Sequence, residues 1–409
     1  MFTKSDHILA RRPITDKIGT MIWQFDNDID VQFSLAKLMG IKYIRFNLFQ
    51  SLQQLNNAPT NDSYTVDNEV IQKAISNGFN PIVGLTTDTG GGGFSDDSTT
   101  HSVMNPTQLA NYKLHWQGLV DHWKNNNIIW EALNEANGNF FSANDACNNT
   151  DVVGAWVDLD KFLANYCRNN DPTGTFSTLC TIEYPGVHHP DDTHSSNYID
   201  GVRNSINIAN TDGLFNSDAD LISTHPYIEE SSNNGCPEIL IRDGTSASMP
   251  SGVTQPFIST EFGYSRQCIN PNDKAYSWQG LWDWDSAIEL TLREFLIQDL
   301  LDYRVISIYA METGSNYNMS NNGILNPLGL AVSNFISVMN GRTLVEKIPV
   351  ISNGNDFLDD VYCLRYSKQG SSDLIVYWTP IFSPYDFSIT VNNNTYNLRA
   401  TTMPQFLNL

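Results

Sequence analysis

The run Ile129-Trp130-Glu131-Ala132-Leu133-Asn134-Glu135, echoed by Phe257-Ile258-Ser259-Thr260-Glu261, decides how this 409-residue chain is read. Each is a short apolar run of the kind that buries a strand in a parallel sheet, and each ends on a glutamate that opens a loop containing Gly, Asn or aromatic residues. Glu135 and Glu261 therefore stand at the carboxyl ends of strands. In a (β/α)8 barrel those ends share one face, so acids far apart in sequence meet around one substrate. The two read as a catalytic carboxylate pair.

Outward from these runs, strand-like and helix-like segments alternate as repeated βα units. Strands are predicted over 18–23, 43–48, 81–86, 128–133, 176–182, 220–225, 257–261 and 304–310. Helices are predicted over 31–39, 67–76, 107–124, 154–169, 198–209, 286–302 and 328–339. Gly40, Gly78 and Asn340-Gly341 mark helix ends and turns. From about Arg342 the texture changes to alternating runs over 361–366, 374–378 and 387–391 separated by polar turns. The expected fold is α/β: a (β/α)8 TIM barrel over 1–342, followed over 343–409 by a small antiparallel, β-sandwich-like domain.

With 41% hydrophobic residues the chain can bury a large core. No stretch of 18 apolar residues occurs, and residues 1–13 lack an apolar export region, so neither membrane insertion nor Sec export is predicted. Cytosolic, processed secreted and virion-associated locations all stay open. A formal charge of −22 repels phosphate backbones and argues against nucleic acid, leaving neutral or cationic ligands. The six cysteines form no C-x-x-C pair, so no zinc or redox motif is expected. Cys236 and Cys268 flank the Glu261 strand in loops, which leaves a disulfide between them open.

Other features carry less chemistry. Gly90-Gly91-Gly92-Gly93 is not followed by Gly-Lys-Ser/Thr and reads as a loop over the barrel mouth, not a phosphate cradle. The segment from His188 to His194 holds ligand-type side chains without helical spacing, so a polar substrate-binding loop is expected and no metal. Trp278, Trp282 and Trp284 follow the Glu261 strand and are candidates for stacking on sugar rings, with Trp282 the one chosen. Trp23 and Trp130 are assigned to the core.

Taken together, these motifs resemble the clan A glycoside hydrolases, including families 39 and 51 and parts of family 5, along nearly the whole chain. Asn134-Glu135 is similar to that group's strand-four motif, which implies that Glu135 is the acid/base and that Asn134 contacts the sugar 2-hydroxyl. Glu261 would be the nucleophile. Arg45 resembles a strand-two arginine that supports the nucleophile, and His225-Pro226-Tyr227 looks like a strand-six His-x-Tyr. The chain departs from family 5 in lacking a histidine in 85–88 and a tryptophan in 306–312, so that Tyr309 or Glu312 stands in the latter place. The resemblance implies a retaining glycosidase that takes a β-linked oligosaccharide or polysaccharide, with Asn134, Arg45, His225, Tyr227, Trp282 and Tyr309 binding substrate and no cofactor required. The alternative is a catalytically silent carbohydrate-binding or virion structural protein on the same barrel.

Overall fold

The computed structural model describes residues 1–9, 11–23, 28–87, 104–131, 133–135, 150–183, 207, 210–211, 219–228, 233–266, 282–312, 316–350, 361–380 and 383–409. Eight parallel strands close a barrel in sequence order: β1 (Ile18–Met21), β2 (Tyr43–Gln50), β3 (Asn80–Thr87), β4 (Ile129–Glu131), β5 (Thr175–Glu183), β6 (Leu221–Pro226), β7 (Phe257–Ser259) and β8 (Ile306–Ile308). Closure is made by β8 on β1, through Ile18 opposite Ile306 and Thr20 opposite Ile308. The helices around it are α2 (Ile29–Met39), α3 (Thr65–Ser76), α4 (Pro106–Trp123), α5 (Thr150–Asn170), α6 (Trp284–Leu300) and α7 (Pro327–Met339), after a short α1 (Lys4–Ile8) not foreseen in the sequence. The (β/α)8 expectation holds. The helix expected over 198–209, the Gly90–Gly93 and His188–His194 segments, Trp278 and Cys268 lie outside the described residues, Asn207 excepted.

Local chemistry accounts for the boundaries. Gly40 ends α2 in the left-handed region at φ 85°, which a side chain would resist. Asn105 caps α4 in a reciprocal box with Gln108, with Pro106 in the first turn. In β1, Gly19 lets the neighbouring strands approach: a Cβ there would lie 2.9 Å from Tyr43 Cβ and 3.2 Å from Ser307 Cβ.

Alternation along the strands sorts side chains between the two faces of the barrel wall. Tyr43, Ile82, Ile129, Leu221, Ile258 and Val305 pack together inside as an apolar floor, with Phe2 against them. Their neighbours Ile44, Val83, Trp130 and Ile222 belong to the outer core beneath the helices.

Beyond α7, one four-stranded antiparallel sheet runs in the order β11 (Thr343–Lys347), β12 (Tyr362–Ser367), β13 (Leu374–Trp378), β16 (Gln405–Asn408), beside a hairpin of β14 (Tyr385–Val391) and β15 (Asn394–Ala400). A smaller hairpin, β9 (Ser320–Asn321) and β10 (Ile324–Leu325), precedes α7. One face of the larger sheet, including Tyr362, Leu364, Leu374, Val376 and Trp378, joins the main core. The other face, with Cys363 and Ile375, packs with Phe387, Ile389 and Ala400 of the hairpin. Strands β11, β15 and β16 were missed because their residues alternate weakly between buried and exposed. Cys236 is a buried free thiol, so the Cys236–Cys268 bridge is not made.

Buried polar contacts fasten this sheet to α6. Trp378 Nε1 donates to Glu238 at 2.6 Å, Glu238 pairs with Arg293 of α6, and the Tyr366 hydroxyl donates to Asp299 at 2.9 Å. Breaking a buried pair leaves an uncompensated charge, so Arg293→Ala should cost about 3–5 kcal/mol. Thermal unfolding followed by circular dichroism should show a lowered midpoint with barrel and sheet still melting together; a sheet that melts separately in the wild type would contradict this coupling.

Candidate active site

The period of two that lays the apolar floor also raises a polar layer above it. Arg45 lies two residues beyond Tyr43 on β2, Glu131 two beyond Ile129 on β4, His225 four beyond Leu221 on β6, and Thr260 two beyond Ile258 after β7. Glu135 and Glu261 follow at the carboxyl ends of β4 and β7. These polar groups could not be buried unpartnered, and none is.

Arg45, fully buried, occupies the centre. Its Nε donates to Glu131 at 2.7 Å, one terminal nitrogen donates to Glu261, and the other donates to Asn134 Oδ1 at 2.8 Å and Cys180 Sγ at 3.3 Å. The Tyr227 hydroxyl donates to the second oxygen of Glu261 at 2.9 Å. Glu261 is thus held by one cation and one neutral donor. Glu135 instead faces His225 Nδ1 at 2.8 Å. One oxygen of Glu135, one of Glu261 and a ring nitrogen of His225 all lie within 4.8 Å of one another.

The surroundings separate the two glutamates chemically. Burial pushes the Glu135 carboxyl up to about 7, against the opposing pull of Arg45. Burial pushes His225 down to about 4, so the ring is neutral although Glu261 favours its charged form. Burial also raises Glu131, but the Arg45 guanidinium, with the Thr260 hydroxyl, outweighs it and holds that carboxyl below the usual range. Glu135, Glu261 and His225 are spaced closely enough for a cation, yet their atoms are already engaged and the Arg45 guanidinium on Glu261 opposes a second positive charge.

Backbone geometry supports this placement. Glu135 adopts φ 47°, a left-handed conformation uncommon for residues other than glycine. Its N–H donates to the Cys180 carbonyl at 2.9 Å. Cys180 lies in a bulge of β5, where Leu179 and Cys180 are also left-handed and the register with β6 shifts. Asp160 of α5 holds that bulge by accepting from the Thr178 hydroxyl and the Leu179 N–H.

Arg45 and His225 are wholly buried and contact Glu261 and Glu135 directly, as expected of an arginine that supports the nucleophile. Several sequence assignments change. Trp282 is also buried: Tyr264 meets its ring edge-on at 5.1 Å, and Gly235 packs so closely that a Cβ there would lie 2.8 Å from the indole, leaving no face for stacking. Trp23, assigned to the core, is 42% exposed just beyond β1. Tyr309 stays half-buried beyond β8, edge-on to Tyr317, which is likewise edge-on to Tyr227. Glu312 accepts from Ser320, Asn322 and Gly323 and so braces the β9–β10 hairpin. Glu131, Thr260 and Cys180 were given no role. The available signal was Glu131 itself, an acid inside a strand that must be buried, with Arg45 the matching cation in strand two.

No protein-family model matches the chain, and no curated sequence matches it. Among solved structures it is similar to a family 39 glycoside hydrolase from Bacteroides cellulosilyticus WH2, with TM-score 0.63 and 15% identity over 99% of this chain and 82% of that one. It is also similar to an endo-beta1,6-glucanase, with TM-score 0.58 and 12% identity over 97% and 91%. A family 1 β-glucosidase from Thermotoga maritima gives TM-score 0.56 and 10% identity over 81% and 99%. The fold is that of clan A glycoside hydrolases.

The raised Glu135 carboxyl is directly observable. Carbon NMR of protein labelled at glutamate carboxyls should show one resonance titrating near 7, absent from Glu135→Gln; a wild type without it would refute the electrostatic assignment.

Proposed function

We propose that this protein is a retaining glycoside hydrolase acting on a β-linked oligosaccharide or polysaccharide. The observation that carries the reading is the approach of Glu135 and Glu261 within 4.8 Å in opposite surroundings. Retaining enzymes use carboxyl groups roughly 5 Å apart, whereas inverting enzymes need about 6.5–9.5 Å to admit a water. The β linkage is supported by the sequence resemblance and by neighbours described as a β-glucosidase and an endo-beta1,6-glucanase.

In the first step Glu261 attacks the anomeric carbon while Glu135 gives its proton to the departing glycosidic oxygen. In the second, Glu135 takes a proton from water, whose oxygen displaces Glu261 and releases the sugar with its original configuration. Asn134 presents Oδ1 to Arg45, which turns its amide N–H groups away from that contact and toward a sugar 2-hydroxyl. Such a hydrogen bond aids catalysis to the extent that it strengthens as positive charge develops on the ring. Trp23 and Tyr309 lie beyond adjacent strands β1 and β8 and offer the aromatic surface for a sugar ring.

Screening against a polysaccharide array, with product length and anomeric configuration recorded, tests substrate and mechanism together. Retained configuration is expected; inverted products would remove Glu261 from its role. Glu261→Ala should reduce turnover to background, and Glu135→Gln should lower it by about 10²–10⁴-fold for a poor leaving group. Full activity in either variant would remove that residue from its role, and no turnover by the wild type on any glycan would leave the silent sugar-binding protein. Because Glu135 must be protonated in the first step, kcat/KM should fall tenfold per pH unit above about 7.

A further inference from the structure

The His225 ring is enclosed by the barrel, and its hydrogen-bond partners determine which nitrogen carries the hydrogen. Arg45 holds Glu131 as a carboxylate, which can only accept. The Thr260 hydroxyl donates its single hydrogen to Glu131 Oε1 at 2.9 Å. Thr260 Oγ1 therefore offers only lone pairs to His225 Nε2, 3.0 Å away, and that nitrogen carries the ring hydrogen. Cys180 Sγ, 3.4 Å from Nε2, is a second and weaker acceptor. A neutral imidazole has one N–H, so Nδ1 presents a lone pair to Glu135 Oε1 at 2.8 Å. Only a proton on Glu135 completes that contact.

We infer that Thr260, anchored by Glu131, is a positioning residue that fixes His225 as the Nε2–H tautomer, so that Nδ1 accepts the Glu135 proton. The role in catalysis rests on the glycosidase reading; the tautomer does not. Around the ring stand Glu131 and Glu135 from β4 and its tip, Cys180 from β5, Arg45 from β2, and Glu261, 3.8 Å from Nδ1 and bonded to Tyr227. At rest the Glu135 proton lies on Oε1 toward Nδ1, and as the C–O bond breaks the carboxyl gives up that contact and passes the proton to the glycosidic oxygen. The carboxylate left behind then faces a lone pair, which makes it a stronger base toward the water of the second step.

Nitrogen NMR of the full chain with labelled histidine tests this below the Glu135 transition, with His225 assigned by loss of its signal in His225→Asn. Wild type and Thr260→Ser should both show Nε2–H and a bare Nδ1. Thr260→Val should move the hydrogen to Nδ1, where it stabilises ionised Glu135, and shift the alkaline limb of kcat/KM down by about one pH unit. Nδ1–H in the wild type overturns the inference, and so does an unchanged tautomer in Thr260→Val. Should Thr260→Val fail to fold, the wild-type spectrum decides alone. Absence of turnover alongside a wild-type Nε2–H ring would defeat the proposed function and leave the tautomer standing.

Discussion

One guanidinium organises the interior of this barrel. Arg45 lies where eight strands converge, fully out of water, and spreads its donors over Glu131, Glu261, Asn134 and Cys180. A planar fork reaches several strands at once with fixed directions, which a lysine ammonium would not reproduce. Two carboxylates can share this interior because the cation lies between them. Neither acid nor base is stable there alone, so the polar layer forms as a unit or not at all.

The second constraint is conformational. Three residues other than glycine, Glu135, Leu179 and Cys180, take left-handed backbone angles at the rim of the site, each at a cost of order 1–3 kcal/mol. The hydrogen bond from Glu135 N–H to the bulged Cys180 carbonyl couples the two strained segments, and Asp160 supports the bulge from outside the barrel. The placement of Glu135 therefore depends on a helix residue that acts only through the bulge of β5.

Much of this was legible in the sequence because barrel strands are buried on both faces and appear as compact apolar runs, each bounded by turn residues. Glu135 and Glu261 were visible as acids at the ends of such runs. What escaped was side-chain direction. Arg45, His225 and Trp282 carry groups common in sugar sites, but whether a ring or guanidinium faces solvent depends on packing from other elements, as Tyr264 and Gly235 do for Trp282. Thr260 and Cys180 have no motif of their own and gain their roles only from the strands opposite. The weakly alternating edges of the carboxyl-terminal sheet were missed for a similar reason, since their burial is supplied by a neighbouring layer.

The apolar floor has a consequence for traffic. Tyr43, Ile82, Ile129, Leu221, Ile258 and Val305, with Phe2 beneath them, fill the lower end of the barrel with packed side chains. Whatever reaches the paired acids enters from the rim and departs by the same doorway. In the proposed reaction, a fragment released there would occupy the route of the incoming water, and any other alcohol waiting at that opening would be placed to compete for the same carbon.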